Sequence, residues 1–479
     1  MKSVWCEHAW LEAEGVADAV RVEVDDTGLV TSVLPGAPAR EGDVALRGVV
    51  FPAAANAHSH AFHRALRGRT HAGGGTFWTW RDAMYRTAAA LTPALYEELA
   101  TAVYAEMVVA GWTSVAEFHY VHHRPDGTPY GQGGPGDRDS DDDGPHAMEL
   151  ALARAAVRAG IRLTLLDTCY LAGGFGVPLG ADRRRFSDGT AERWLARLAA
   201  LRTAVSSRYP AHQATVGAAL HSVRAVPERD LAVIAQHLPS GAPLHIHLSE
   251  QPAENEDCLR ATGCTPTELL DRHGLVTGRL SAVHATHVTE RDIALLGDAG
   301  VNVVLCPTTE ADLGDGLGPA GGLLDAGVSL ALGTDQHAVV DPWLEMRALE
   351  HGERLRTGRR GHFDPERLHG IASLGGAAAQ GRRGAGFSPG LAADFMAVDP
   401  HSARTAGSSW EQLAYTATAQ DVTGVVVGGV LAASDGVHAI LGDPGPLLAT
   451  AIARLDDAAN ARNDPASPAT RYTQPRERH

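Results

Sequence analysis

From about residue 51 to about residue 390 the sequence repeats one alternation, in which short apolar, strand-like runs follow longer amphipathic segments rich in Ala and Leu. TSVAEFHYV comes after LYEELATAVYAEMVVAG, IRLTLLDTCYL after MELALARAAVRAG, and PLHIHLSE, RLSAVHATHV, VNVVLCPTTE and VSLALGTDQH continue the series. A βαβα rhythm of this kind calls for a parallel sheet clothed in helices. So many repeats favour closure into a (β/α)8 TIM-like barrel, which needs about 250 residues and fits easily inside a chain of 479.

The ends of the chain have a different texture. VRVEVDD and LVTSVLPG near the amino terminus, and GLAADFMAVD and VTGVVVGGVLAASDG near the carboxyl terminus, are β-branched runs punctuated by Gly. Neither piece alone buries enough surface to be stable, so both are expected to join in one small β-sandwich domain. The predicted organisation is an amino-terminal sandwich segment over 1–50, the hydrolase barrel over 51–390, a carboxyl-terminal sandwich segment over 391–450 and a polar tail over 451–479. That tail is expected to be disordered or draped on the surface from about Asp456. The Gly- and Asp-rich stretch GQGGPGDRDSDDDGP, Gly131 to Pro145, reads as a mobile loop.

Composition removes several function classes. A formal charge of −16 disfavours nucleic acid, whose binding rests on Lys and Arg neutralising phosphates. No apolar stretch approaches the roughly 20 residues of a membrane span. The first residues, MKSVWCEHAWLEAEG, carry Glu7, Glu12 and Glu14 where a signal peptide would be apolar, so a cytoplasmic protein is expected. The five cysteines are scattered and never form a CxxC pair, which suggests reduced, packed thiols and no thiolate metal site.

The histidines fall at the ends of the apolar runs. His58 and His60 form a His-x-His pair closing VVFPAAANAHSH, and residues i and i+2 of a strand face the same side. His245 and His247 repeat that spacing in PLHIHLSE, His284 closes RLSAVH, and Asp335 ends VSLALGTD. In a parallel barrel the carboxyl ends of the strands converge on one face, where catalytic groups gather. Imidazoles plus one carboxylate with room for water describe a catalytic metal site, whereas a structural zinc closes its shell with protein ligands. We therefore expect His58, His60, His247 and Asp335 to hold one divalent ion, zinc by ligand type, with Asp335 accepting a proton from the attacking water and His284 orienting it or stabilising charge.

The strings NAHSHAFHRALRG, FWTWRDAMYR, EFHYVHH, LHSVRAV, HIHLSEQ, VHATH, CPTTEADLGDG and GTDQH, in this order and spacing, resemble the amidohydrolase superfamily and, within it, the formimidoylglutamate deiminases of histidine degradation. The resemblance spans most of the chain. It implies hydrolysis of N-formimino-L-glutamate to N-formyl-L-glutamate and ammonia, with Glu250 delivering protons to the departing nitrogen. It also implies substrate contacts from His63, Arg81, Tyr120, His221 and Arg224, guanidinium groups suiting the carboxylates of a dicarboxylate amidine, and a homodimer by analogy with relatives. Many amidohydrolases bridge two metals with a carboxylated lysine; here the only lysine is Lys2, far from any barrel strand end, so a mononuclear site is expected. One departure is His63, where the family carries Gln. Two other readings stay open at this point: a deaminase of a purine or other aromatic amidine, and a non-catalytic relative that binds without turnover.

Overall fold

The protein's structure is a computed structural model that describes residues 2–11, 14–71, 77–131 and 143–463. Eight parallel strands pair in chain order: β1 (Ala54–Ser59), β2 (Trp112–His119), β3 (Arg162–Cys169), β4 (Ala214–Leu220), β5 (Leu244–Leu248), β6 (Leu280–His284), β7 (Asn302–Leu305) and β8 (Ser329–Leu332). Every residue of β1, β2, β5, β6 and β7 is buried. Such strands read as near-continuous apolar runs because helices cover the sheet. The barrel closes where β8 returns to β1, with Thr334 N and Asp335 N donating to the His58 carbonyl and His60 N to that of Asp335, all at 3.0 Å.

Helices alternate with the strands as the sequence rhythm predicts. Pro93–Ala110 shows how the punctuation works: the Thr92 hydroxyl accepts from Leu95 N, Pro93 occupies the first turn, and Gly111 ends the helix at φ +106° before β2 begins. A capping hydroxyl and a left-handed glycine satisfy backbone groups that the helix leaves unpaired at its ends.

The terminal segments build one continuous eight-stranded sheet from both ends of the chain. Its seam is Val44–Pro52, which pairs in parallel with Lys2–Trp10 and antiparallel with Phe395–Val398. Val4, Val22, Leu46, Phe395 and Val426 bury together in a core separate from the barrel's, so apolar residues more than 400 positions apart stabilise one domain. The five cysteines are free and buried.

The carboxyl-terminal tail requires a correction. Pro444–Asn463 is a single helix packed against Pro93–Ala110, not a polar tail beginning at 451. Leu448, Ala451 and Leu455 lie at helical spacing and are buried, so an apolar stripe inside a polar sequence ties this segment to the barrel. Residues 464–479, and most of the Gly/Asp-rich stretch (132–142), lie outside the described residues. Among the described residues no helix is long and apolar enough to cross a membrane.

Candidate active site

The carboxyl end of the barrel gathers the side chains that the strand-end pattern singles out. His58 comes from β1, His60 from just past it, His247 from β5, and Asp335 from the turn after β8. All four are buried, and one ligand atom from each lies within 4.8 Å of the others. His58 Nε2 is 3.1 Å from His247 Nε2, and His60 Nε2 is 3.3 Å from it. Asp335 Oδ1 lies 3.3 Å from His58 Nε2 and 3.5 Å from His60 Nε2.

Local sequence explains how the backbone brings them so close. A Cβ on Gly333 would fall 2.7 Å from His58 Cβ and 2.9 Å from its backbone nitrogen, so glycine in GTD lets β8 close onto β1 and deliver Asp335. Beyond the strand ends the chain turns sharply. Ser249, His284, Ala285, Asp335 and His337 take φ values of +49°, +71°, +50°, +41° and +60°. Left-handed non-glycine residues cost about 1–3 kcal/mol each and persist where surrounding structure enforces them, often at functional sites.

The hydrogen bonds show which nitrogens face inward. His60 Nδ1 lies 2.9 Å from the Phe118 carbonyl and His247 Nδ1 lies 2.9 Å from that of His221. A carbonyl only accepts, so each Nδ1 carries the proton and each neutral ring turns an Nε2 lone pair inward. Those lone pairs meet at 3.3 Å, an arrangement that repels unless a cation lies between them. Burial, reinforced by neighbouring imidazoles, holds His58 and His60 well below the usual histidine range and His247 down to about 4. Neutral, lone-pair-bearing imidazoles beside a carboxylate are the donor set of a divalent metal.

His284 differs in kind. Burial would lower its pKa, but Glu250, Glu310 and Asp335 outweigh that and push it up to about 10. Its Nδ1 lies 3.3 Å from Glu310 Oε1, while Nε2 faces Glu250 Oε1 at 3.9 Å and Asp335 Oδ2 at 4.0 Å. Glu310 Oε1 also accepts from Cys306 N at 2.9 Å, which fixes the carboxylate that orients His284. His245, the other half of the second His-x-His pair, is spent on the Ala379 carbonyl at 2.8 Å and stays outside the cluster.

Above this cluster opens a pocket of about 830 Å³, solvent at its mouth included. His63, Arg81, Tyr120, His221, Arg224, Glu250, His284 and Asp335 all line it. His63 Nε2 meets the Tyr120 hydroxyl at 3.0 Å, and burial drives its pKa down to about 3, so this histidine is a neutral group. Arg224 pairs with buried Glu254 at 3.4 Å, and Arg81 Nε donates to the Tyr85 hydroxyl at 3.1 Å. Sequence reasoning missed Tyr85, Tyr170, Arg183 and Phe186, which also line the wall; Tyr170 directly follows β3 and was signalled by the run IRLTLLDTCYL, whereas Tyr85 on a helix and Arg183 and Phe186 on a 3-10 turn carry no strand-end signal.

A second buried group, His119, His122 and Glu149, also has donor atoms within 4.8 Å of one another. Arg197 Nη1 lies 3.0 Å from Glu149 Oε1 and 2.8 Å from Asp167 Oδ1, and Arg197 Nε lies 2.9 Å from Asp188 Oδ2. One guanidinium bridges these three carboxylates, and with His119 and His122 against Glu149 the network braces the end of β2 behind Tyr120.

Comparison with known proteins agrees with this architecture. Residues 49–432 match the Amidohydrolase family. A formimidoylglutamate deiminase of Pseudomonas aeruginosa is 36% identical over 454 residues, covering 92% of this chain and 96% of that protein. A crystal structure of an amidohydrolase from Brucella melitensis superposes with a TM-score of 0.84 at 33% identity, covering 95% of this chain and all of that one. An adenosine deaminase from Xanthomonas campestris with bound zinc gives a TM-score of 0.78 at 25% identity over 96% of this chain and 98% of its own. Fold, strand-end histidines and whole-length similarity coincide, and the chain belongs to the amidohydrolase family.

Proposed function

We propose that the protein is a metal-dependent deiminase that hydrolyses N-formimino-L-glutamate to N-formyl-L-glutamate and ammonia. His58, His60, His247 and Asp335 hold one divalent ion, zinc by the chemistry of the donors and by analogy with the zinc-containing relative. The observation that carries this reading is the convergence of inward lone pairs from buried, neutral imidazoles on one carboxylate, at the floor of a pocket whose wall carries guanidinium groups.

A divalent cation in such a site supplies Lewis acidity and moves the pKa of water from 15.7 toward about 7. The chain's own residues manage the protons. Asp335 directs Oδ1 at His58 and His60 and keeps Oδ2 toward His284, so Oδ2 is the acceptor for the proton of the attacking water. His284, fixed by Glu310 and positively charged in its carboxylate surroundings, stabilises negative charge developing on the oxygen and nitrogen bound to the reacting carbon. Glu250, whose Oε1 lies 3.9 Å from His284 Nε2, delivers the proton that lets the NH2 group depart as ammonia. Water adds to the amidine carbon, the carbon–nitrogen bond to NH2 breaks, and a formyl group remains.

The walls favour a dicarboxylate over an aromatic amidine. Arg81 and Arg224 present planar forks suited to carboxylates; the aromatic rings of the wall would serve either substrate, so the guanidinium pair is the feature that supports the dicarboxylate. The deciding experiment measures ammonia release from N-formimino-L-glutamate, from its aspartate and glutamine analogues, and from guanine and adenosine, with metal content determined on the same preparation. Turnover of the formimino-glutamate alone or foremost supports the proposal. Preference for a purine overturns the substrate, and a metal-free, inactive protein overturns the enzyme.

A further inference from the structure

The loop after β3 contributes a guanidinium that no strand-end pattern announces. Arg183 stands on the short 3-10 turn Ala181–Phe186 and faces the pocket together with Tyr170, Gly173 and Phe186 from the same loop. Its Nη1 donates to the Gly173 carbonyl at 3.3 Å, and its guanidinium carbon lies 5.7 Å from the centre of the Tyr85 ring. The side chain is only 14% exposed, while its carboxylate neighbour, Asp182, is 3.5 Å away and 50% exposed. A Cβ on Gly173 would fall 2.6 Å from the Pro178 carbonyl, so this glycine lets the loop fold back and hold Arg183 against the pocket. Besides this long ion pair the guanidinium contacts the Gly173 carbonyl and Tyr170, but its buried Nε has no hydrogen-bond partner, and an anion in the pocket would complete it.

Ring contacts locate Arg183 relative to the reacting end. From His247 the path runs to His221 at 5.2 Å, Tyr170 at 4.4 Å, Phe186 at 5.7 Å and Tyr85 at 6.2 Å between centroids. Arg183 and Arg81 both flank the Tyr85 ring, at 5.7 Å and 5.4 Å, so the two guanidinium groups stand together on the Tyr85 side of the pocket, separated from His247 by this aromatic wall. Arg224, paired with Glu254 and raised by the charges of Glu254 and Glu250, belongs to the near end. We infer that Arg183 is a substrate-binding residue for the carboxylate farther from the amidine, and that it sets the preference for an acidic side chain of glutamate length over its neutral amide. This rests on the deiminase reading above.

The test compares N-formimino-L-glutamate with N-formimino-L-glutamine in the wild type, Arg183→Gln and Arg183→Lys. Arg183→Gln should lower kcat/KM for the glutamate substrate by about 10- to 100-fold, chiefly through KM, because this contact acts alike on ground and transition states. The glutamine substrate should change by less than about 3-fold, so the preference collapses. Arg183→Lys, which keeps the charge but not the fork, should fall between and carries the same test if the Gln variant melts early. A glutamate-to-glutamine ratio unchanged in the variants overturns the role of Arg183 and leaves the deiminase reading intact. A wild type that releases ammonia from neither substrate overturns both.

Discussion

Replacing Arg197 by Met should reveal how firmly the barrel wall behind the pocket depends on one guanidinium. Arg197 is 7% exposed and touches Glu149, Asp167 and Asp188, themselves 0%, 0% and 9% exposed. Removing one partner of a buried ion pair costs about 3–5 kcal/mol. Protonating a stranded carboxylate instead costs about 1.4 kcal/mol per pH unit above a reference near 4, which is about 4 kcal/mol at pH 7 and about 1 kcal/mol at pH 5. Burial has already pushed Asp167 up to about 7, so the loss falls mainly on Glu149 and Asp188. In the parent both are held below the ordinary range: burial would raise them, but the two histidines and Arg197 around Glu149, and Arg197 with His123 beside Asp188, outweigh it. Folded values below the unfolded ones give stability that is present above about pH 4 and lost as pH falls through the folded values. The parent's own contribution is therefore complete at both pH 7 and pH 5, and the gap between parent and variant should be full at pH 7 and narrow toward pH 5 because protonating the variant's stranded carboxylate becomes cheaper. With an unfolding entropy of roughly 2.1 cal/mol/K per residue, about 4 kcal/mol corresponds to a Tm lower by about 4 °C at pH 7. Differential scanning calorimetry at the two pH values measures it. A shift below about 1 °C at pH 7, or one equally large at pH 5, would refute the reasoning.

Three further outcomes are expected. Glu250→Gln should lower kcat by about 10²- to 10⁴-fold with metal content unchanged by elemental analysis; near-normal turnover would remove Glu250 from proton transfer. Gly333→Ala, whose new methyl meets His58, should destabilise the protein by about 1–3 kcal/mol and reduce its metal content, checked by calorimetry and metal analysis; full metal content and an unchanged Tm would show that closure there tolerates a side chain. Chelation should lower the Tm and added zinc restore it, since a ligand at 1,000 times its Kd stabilises by about 4.1 kcal/mol; a Tm indifferent to metal would contradict the cation-dependent packing of His60 against His247.

The strand-end residues were the readable portion of the site because a parallel barrel converts sequence position into spatial position. An apolar run ending in His58, His247, His284 or Asp335 places each of them on one face whatever the intervening helices contain. The same rule fails between two identical motifs: both histidines of the first His-x-His pair reach the cluster, whereas His245 of the second turns to the Ala379 carbonyl. Spacing gives the side of a strand, and depth along the barrel decides what a side chain meets. The helical end of the chain was misread for a related reason, since Leu448, Ala451 and Leu455 are too sparse a stripe to stand out until the helix they oppose is in place.

Periodicity and strand-end chemistry, both local properties of the chain, were enough to determine the barrel, the sheet shared by the termini and the strand ends at which imidazoles and a carboxylate gather. Only the tertiary structure decided that Glu310 orients His284, that Arg197 bridges carboxylates from β3 and two neighbouring segments, and that Arg183 reaches the pocket. Those contacts join residues with no common period or spacing. A charged side chain acquires its role from the partners and the loss of water that folding imposes, and neither is written in its neighbours along the chain.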